Sequence, residues 1–266
     1  MPPNEKKSLR DFYEEEAKLS DHQELMYARG DKHEVWWHRK RLHYIFCFLA
    51  EMLRNPKVMT FADIGCAEGY YVNRVALLRN DMFCIGADIA KTYIKKAKRK
   101  AYVKKPNVDF VLCDVENLPF RKNCFDIVLC SEVLEHVPNY GKALTELDDT
   151  TRRYLIISSP GRSYIYKFAT RIRPLKRLID KVEAGAGHVS AVTIENMRSL
   201  IKTHEFRASM QIMIGGALPL QLYRTVPSIK LVDAIDNVVC KIIKRLNALD
   251  YATIHVINVL KEEQIV

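Results

Sequence analysis

The run S-E-V-L-E-H-V places Glu132, Glu135 and His136 at spacings of i, i+3 and i+4, and His188 follows further along in G-H-V-S-A-V-T. On a helix beginning near Val133, that spacing puts all three side chains on one side. Two carboxylates and an imidazole so grouped can chelate a hard divalent cation such as Mg2+, with His188 as a fourth ligand, and activate one hydroxyl of a diol or catechol. Without a metal, Glu135 or His136 is a general base for an acceptor hydroxyl. His188 then anchors the helix that follows or touches the acceptor.

A second group lies in Phe61–Tyr71, FADIGCAEGYY. A loop that cradles a pyrophosphate needs G-x-G-x-x-G, so that bare backbone meets the phosphates. With Gly65 as the first glycine, Ala67 and Tyr70 occupy the other two places; with Gly65 as the second, Asp63 and Glu68 do. Both registers fail. Asp63 and Glu68 would also repel a pyrophosphate, whereas they suit a cation. A cofactor carrying an ammonium and a sulfonium matches the charge of this loop.

Short apolar runs and helical stretches alternate and position these residues. Strands are expected at Val58–Ile64, Phe83–Asp88, Val108–Cys113, Phe125–Cys130, Tyr154–Ser158, Ala208–Ile214 and Tyr251–Leu260. Helices are expected at 69–79, 91–103, 139–150 and 193–203, after polar helical segments at 8–29 and 34–54. This order predicts an α/β fold: a doubly wound, mainly parallel, seven-stranded sheet of Rossmann-like type covered on both faces. In such sheets the ligand sits beyond the carboxyl ends of the strands. Residues 1–56 are expected to form an N-terminal helical element. Residues 57–266 form the main domain, with helical insertions at about 160–190 and 215–249.

D-I-G-C-A-E-G resembles the first motif of class I S-adenosylmethionine-dependent methyltransferases. Asp88 closes the second strand, 23 residues beyond Gly65, where the family places an acid on the ribose hydroxyls. Asp114 follows the third strand, where the family reads the adenine amino group, and FDIVLCSEVLEHVPN resembles the fourth strand and its loop. The likeness runs in order from about 58 to 160. It implies S-adenosyl-L-methionine as cofactor, with contacts from Asp63, Gly65, Cys66 and Gly69 in the first loop. Asp88, Ile89, Asp114, Val115 and Ser131 follow from the next three strand ends. E-x-x-E-H with a distant histidine resembles two metal-using branches, the ubiquinone-biosynthesis O-methyltransferases and the small-RNA 3′-terminal methyltransferases. E-V-L-E-H-V is also common in members that bind no metal. The stretch W-W-H-R-K-R at 36–41 resembles a helix whose aromatic residues cover the cofactor, with Arg39 and Arg41 as partners for its carboxylate. The competing reading buries Trp36 or Trp37 in the core.

The 266 residues carry a net charge of +10 and seven cysteines with no C-x-x-C pair, which reads as reduced thiols in a cytoplasmic protein. No apolar run reaches the roughly 18–20 residues that span a bilayer, and the opening MPPNEKKSLRDFYEEE has no apolar secretory core. Both insertions pair an apolar stripe with basic residues. Tyr164, Ile165, Phe168, Ile172, Leu175 and Ile179 run beside Arg171, Arg173, Lys176 and Arg177. Val232, Ile235, Val239, Ile242 and Leu246 run beside Lys241, Lys244 and Arg245. Core packing is the ordinary reason for such stripes. The functional one is peripheral contact with an anionic membrane and an apolar acceptor. The expected activity is O-methylation of a small, lipid-like or glycan-linked acceptor. An RNA methyltransferase is the enzymatic alternative, though nucleic acid is the less favoured partner because stacking aromatics are few beside the Lys-rich helix 90–105. A non-catalytic cofactor-binding protein is the third reading.

Overall fold

The computed structural model describes residues 3–101, 107–160, 173, 177, 190, 208–215, 223–246 and 254–261. Seven strands form one sheet in the order β3-β2-β1-β4-β5-β7-β6. They are β1 Thr60–Ile64, β2 Phe83–Asp88, β3 Val108–Leu112, β4 Phe125–Ser131, β5 Thr151–Pro160, β6 Ala208–Gly215 and β7 Ile254–Lys261. β1 pairs in parallel with β2 and with β4, and β7 lies antiparallel between β5 and β6. The chain builds outward from β1 to β3, then returns to β4 on β1's other side. The switch in strand order therefore falls between β1 and β4, at whose carboxyl ends Gly65 and Glu132 follow.

Helices cover both faces. α1 (Pro3–Leu19), α2 (His22–Glu24), a π-helical turn (Leu25–Arg29) and α3 (Lys32–Met52) precede the sheet; α4 (Tyr70–Leu78), α5 (Lys91–Lys100), α6 (Tyr140–Thr150) and α7 (Ile229–Arg245) follow in chain order. One core layer packs Ile45, Phe48 and Leu49 of α3 and Val72 and Val75 of α4 on Phe61, Ile127 and Leu129. The other packs Ala143, Leu144 and Leu147 of α6 on Ala62, Val128 and Cys130. Burying each such Leu, Ile or Phe contributes about 1.5–3 kcal/mol relative to leaving it in water. Every side chain of β4 from Phe125 to Cys130 is buried, as a central strand covered on both faces requires.

Local signals start the helices where the chain supplies them. Asp31 accepts the backbone N–H groups of His33 and Glu34 at the start of α3, and Asn139 accepts that of Lys142 at α6. α5 has no cap of its own. Its cap comes from α1: Glu14 accepts the N–H of Lys91 at 2.6 Å and of Thr92 at 3.2 Å, placing a carboxylate where unpaired N–H groups and the helix dipole favour it.

Three expectations are corrected. No α-helix begins at Val133; a single 3-10 turn spans Leu134–His136. The segment 8–29 is not one helix, because the chain breaks at Ser20 and Asp21. The stripe within 215–249 is turned: α7 buries Val232, Asp236, Cys240 and Ile243, while Ile242 and Leu246 are exposed. Charge sets that rotation, because Asp236 is drawn inward to Lys40 Nζ at 2.7 Å and to the Tyr223 hydroxyl at 2.6 Å. The insertion expected at 160–190 and the helix at 193–203 lie outside the described residues, apart from Arg173, Arg177, Ser190 and the end of β5 at Pro160.

Candidate active site

A cavity of about 400 Å3 opens over the carboxyl ends of β1, β2 and β4. Its floor is the sheet side. Gly65 leaves β1 with φ +82°, and a Cβ built there would stand 2.2 Å from Val133 Cγ2. Only a residue without Cβ holds that turn and keeps the backbone open to a ligand. The Gly65 and Cys66 N–H groups donate to the Ala87 carbonyl at 2.7 and 3.0 Å, tying the turn to β2. Asp88 closes β2 and lines the cavity, accepting the N–H of Ala67 at 2.9 Å and of Ala90 at 2.8 Å. Burial pushes its carboxyl up to about 6, against the pull of those N–H groups. Ile89, Asp114, Val115 and Ser131 also line the floor.

Asp63, Cys66 and Gly69 stand behind that wall. Asp63 is buried, its Oδ2 has no hydrogen-bond partner, and burial followed by the nearby Asp88 raises it well above the usual carboxylate range. The Cys66 sulfur packs over Gly86, and Gly69, at φ +80°, opens α4 beneath the Phe110 ring.

The roof comes from the N-terminal segment. Phe12, Tyr13 and Glu16 of α1, Gln23, Met26 and Tyr27, and His38 and Arg41 of α3 all line the cavity. Gln23 clamps the roof to the floor loop: its Nε2 donates to the Cys66 carbonyl at 3.1 Å, its Oε1 accepts the Tyr70 N–H at 3.0 Å, and its own N–H donates to Glu68 at 3.0 Å. Tyr13 and Tyr27 were not legible as site residues, because nothing near them in sequence marks them out. Trp36 and Trp37 do not line the cavity. Trp36 packs on Tyr223 and Val232 and donates its indole N–H to Asp233 at 3.3 Å, so the core reading of this pair holds. Arg39 donates from Nε to the Tyr27 carbonyl. His38 lies against the cavity with burial, then Arg41, holding its pKa down at about 2, so it is a neutral imidazole.

The candidate chemical residues sit between floor and roof. Glu132 follows β4 with φ +56°, which turns its carboxylate back onto fully buried Arg41 at 2.7 Å. Ser158 Oγ donates to Glu132 at 3.2 Å and shares a 2.8 Å hydrogen bond with Ser131 Oγ. Burial opposes the Arg41 charge, but Glu132 with Tyr27 and Tyr71 raises its pKa overall. Glu135 is buried at the cavity wall with neither carboxyl oxygen hydrogen-bonded. Burial first and Glu132 second raise it well above the ordinary carboxylate range, the direction that makes a carboxylate a stronger proton acceptor. His136 Nε2 lies 3.8 Å from Glu135 Oε1, and the Tyr13 ring meets the imidazole edge-on at 5.5 Å between centroids. Among the described residues no three His, Cys, Asp or Glu side chains come together as a metal site, and the Glu132 carboxylate is engaged by Arg41. His188 lies outside the described residues. Ser190, two residues on, donates its N–H to the Glu135 carbonyl at 2.9 Å and its hydroxyl to the Val137 carbonyl at 2.6 Å.

Residues 62–154 match the family described as a methyltransferase domain. A ubiquinone biosynthesis O-methyltransferase of Coxiella burnetii is 34% identical over 117 residues, covering 41% of this chain and 49% of that protein. A 27-O-demethylrifamycin SV methyltransferase of Amycolatopsis mediterranei is 26% identical over 166 residues, covering 58% and 56%. The chain thus spans about half the length of these curated relatives. Among solved structures, magnesium protoporphyrin IX methyltransferase from Synechocystis with bound SAH superposes with a TM-score of 0.63 at 16% identity, covering 97% of this chain and all of that one. Sheet order, glycine turn and matched domain are similar to those of class I S-adenosylmethionine-dependent methyltransferases.

Proposed function

We propose that the protein transfers a methyl group from S-adenosyl-L-methionine to an oxygen of a small acceptor, lipid-like or glycan-linked. The cofactor supplies a methyl on a sulfonium, which leaves as a neutral thioether when an oxygen attacks the methyl carbon. The cavity fits such a group. Asp88, Asp114, Glu116 and Glu16 line it together with the rings of Tyr13, Tyr27 and Tyr93, and carboxylates and aromatic faces both favour a cation over a phosphate. Asp88 and Ile89 would hold the ribose end, Asp114 and Val115 the adenine end, and Gly65 and Ser131 the methionine end. Asp63, Cys66 and Gly69 shape the turn from behind. Residues 1–56 form the cover and residues 57–266 the transferring domain.

Glu135 carries the catalytic reading. A buried carboxyl with neither oxygen hydrogen-bonded, at the wall of the cavity, awaits a polar group from a ligand. An acceptor hydroxyl there gives up its proton to Glu135 or His136 as its oxygen attacks, the two acting as one unit. Glu132 serves as the counter-ion of Arg41. A divalent cation held by Glu135, His136 and His188 is a second version of the same step, and chelation followed by metal return distinguishes it.

The test is incubation with methyl-labelled S-adenosylmethionine and a cell extract, followed by separation of lipid, RNA and small metabolites. Label in small or lipid acceptors supports the proposal; label in RNA alone, or none, overturns it. Glu135→Gln should lower kcat by about 10²–10⁴-fold while cofactor affinity stays unchanged. An equal loss of affinity would make Glu135 a binding group instead.

A further inference from the structure

α7 has two apolar faces, and its neighbours cover only one. The inner face packs Val232 against Trp36 and Tyr223. Both acids of the helix turn toward α3: Lys40 Nζ lies 2.9 Å from Asp233 and 2.7 Å from Asp236. On the other side Leu231, Val238, Ile242 and Leu246 follow one another at helical spacing and are 51, 58, 50 and 71% exposed. A lone exposed leucine needs no explanation, but four large aliphatic side chains along one line of a helix do. Lys230, Lys241, Lys244 and Arg245 stand exposed along one edge of that line. With Asp233 and Asp236 engaged by Lys40, the outer half of α7 carries positive charge and aliphatic surface and no acid.

We propose that the outer face of α7 rests on an anionic phospholipid surface. The basic edge matches the negative headgroup layer, and the aliphatic line enters the boundary between headgroups and acyl chains, as in helices that lie in the plane of a membrane. Leucine, isoleucine and valine flanked on one side by lysine and arginine ask for a partner that is apolar in depth and diffusely negative at its surface, which a lipid layer provides. The helix is also coupled to the cavity. Lys40 and Trp36 bind it to α3, and Arg41 of the same α3 sits in the cavity roof. Docking would therefore bring the cavity to within one helix of the lipid, the source of an apolar acceptor. That last clause rests on the acceptor class proposed above; the docking itself does not.

Flotation of the full chain with phosphatidylcholine vesicles, with and without phosphatidylglycerol, tests the docking without reference to activity. The protein should float with the anionic vesicles at low salt and be released at high salt. Lys241→Glu with Lys244→Glu should weaken partition by about fivefold or more per charge. Val238→Ser with Ile242→Ser should weaken it comparably. These side chains point outward, so circular dichroism and the unfolding midpoint should stay unchanged. No flotation of the native chain overturns the proposal, as does flotation that both double variants leave intact. So does a native dimer that Val238→Ser with Ile242→Ser dissociates without any vesicle binding, since a second copy would then own the face. Retained methyl transfer with lost flotation would separate docking from catalysis.

Discussion

The floor and the roof of the cavity are held by different kinds of force. Backbone geometry sets the floor: a glycine at φ +82°, N–H groups donating to the Ala87 carbonyl, and a carboxylate gripping the next turn. Side chains reaching across large sequence distances hold the roof. Glu14 caps α5, Asp21 pairs with Lys96 and Lys100 at 3.0 Å each, and Gln23 spans Cys66 and Tyr70. A floor made this way has one conformation. A roof held through exposed ion pairs opens at low cost, which suits a cofactor that enters and leaves on every turnover.

Arg41 crosses between the two regions, and removing it should have the largest effect. Arg41→Met leaves the Glu132 carboxylate buried without its partner, which costs about 3–5 kcal/mol of stability. Replacing both, as Arg41→Met with Glu132→Gln, should recover most of that. Denaturant midpoints of the three proteins check it. If the single variant loses less than the double, the pair is not what joins roof to floor.

Gly65→Ala attacks the floor alone. The left-handed φ costs about 1–2 kcal/mol for a residue with Cβ, and the 2.2 Å approach to Val133 adds a packing cost of about 1–3 kcal/mol. Cofactor affinity should fall about 10²-fold, and Val133→Ala in the same chain should restore part of it. Calorimetric titration with the cofactor reads both numbers. A full recovery would assign the whole cost to the clash and none to the backbone.

The contrast also explains what was legible in the sequence. The floor could be read because Gly65, Asp88, Asp114 and Ser131 each stand at the end of a strand, and strand ends are marked by local pattern. Phe83–Asp88 was located to the residue for that reason. The roof could not be read. Tyr13, Gln23 and Tyr27 belong to an ordinary polar helical stretch, and long-range partners such as His136, Cys66 and Tyr70 help set their places. Trp36 drew attention by its type, yet Asp233 and Tyr223 take it into the core. Glu132 looked like a partner of Glu135, because hydrophobic spacing carries no sign that φ turns positive there. The rotation of α7 was hidden likewise: an aspartate on the buried side makes sense only once Lys40 lies opposite.

Asp88 tests whether the floor is tuned for ligand rather than for stability. Its folded pKa of about 6 exceeds the unfolded value of about 3.9, so the folded state binds the proton more tightly. The resulting stabilisation is complete below pH 4 and lost as pH rises through 6, a change of about 3 kcal/mol. Asp88→Asn removes that loss. Without cofactor, the variant should gain stability relative to the native chain between pH 4 and 7, while cofactor affinity falls. The native affinity should rise through pH 6 as the carboxylate forms and the variant's should not. Parallel pH series of unfolding midpoint and affinity decide; identical slopes in both proteins would mean that Asp88 is already ionised when free.

The smallest expected effect belongs to the roof latch. Lys96 donates to the Ser20 carbonyl at 2.7 Å and to Asp21 at 3.0 Å, and Lys100 pairs with the other Asp21 oxygen. These groups are partly exposed, and the two lysines hold the Asp21 carboxyl below its usual range. Each pair is worth about 0.2–1 kcal/mol and weakens with salt. Lys96→Ala with Lys100→Ala should therefore speed cofactor release only a few-fold at low salt and leave the unfolding midpoint nearly unchanged. The diagnostic is the dependence on salt. Release from the native chain should accelerate as salt rises, and release from the double variant should respond less, because its latch is already gone. Stopped-flow release at several salt concentrations measures this directly. Equal salt slopes would move control of the roof to Gln23, whose hydrogen bonds salt barely touches, and would make the roof as rigid as the floor.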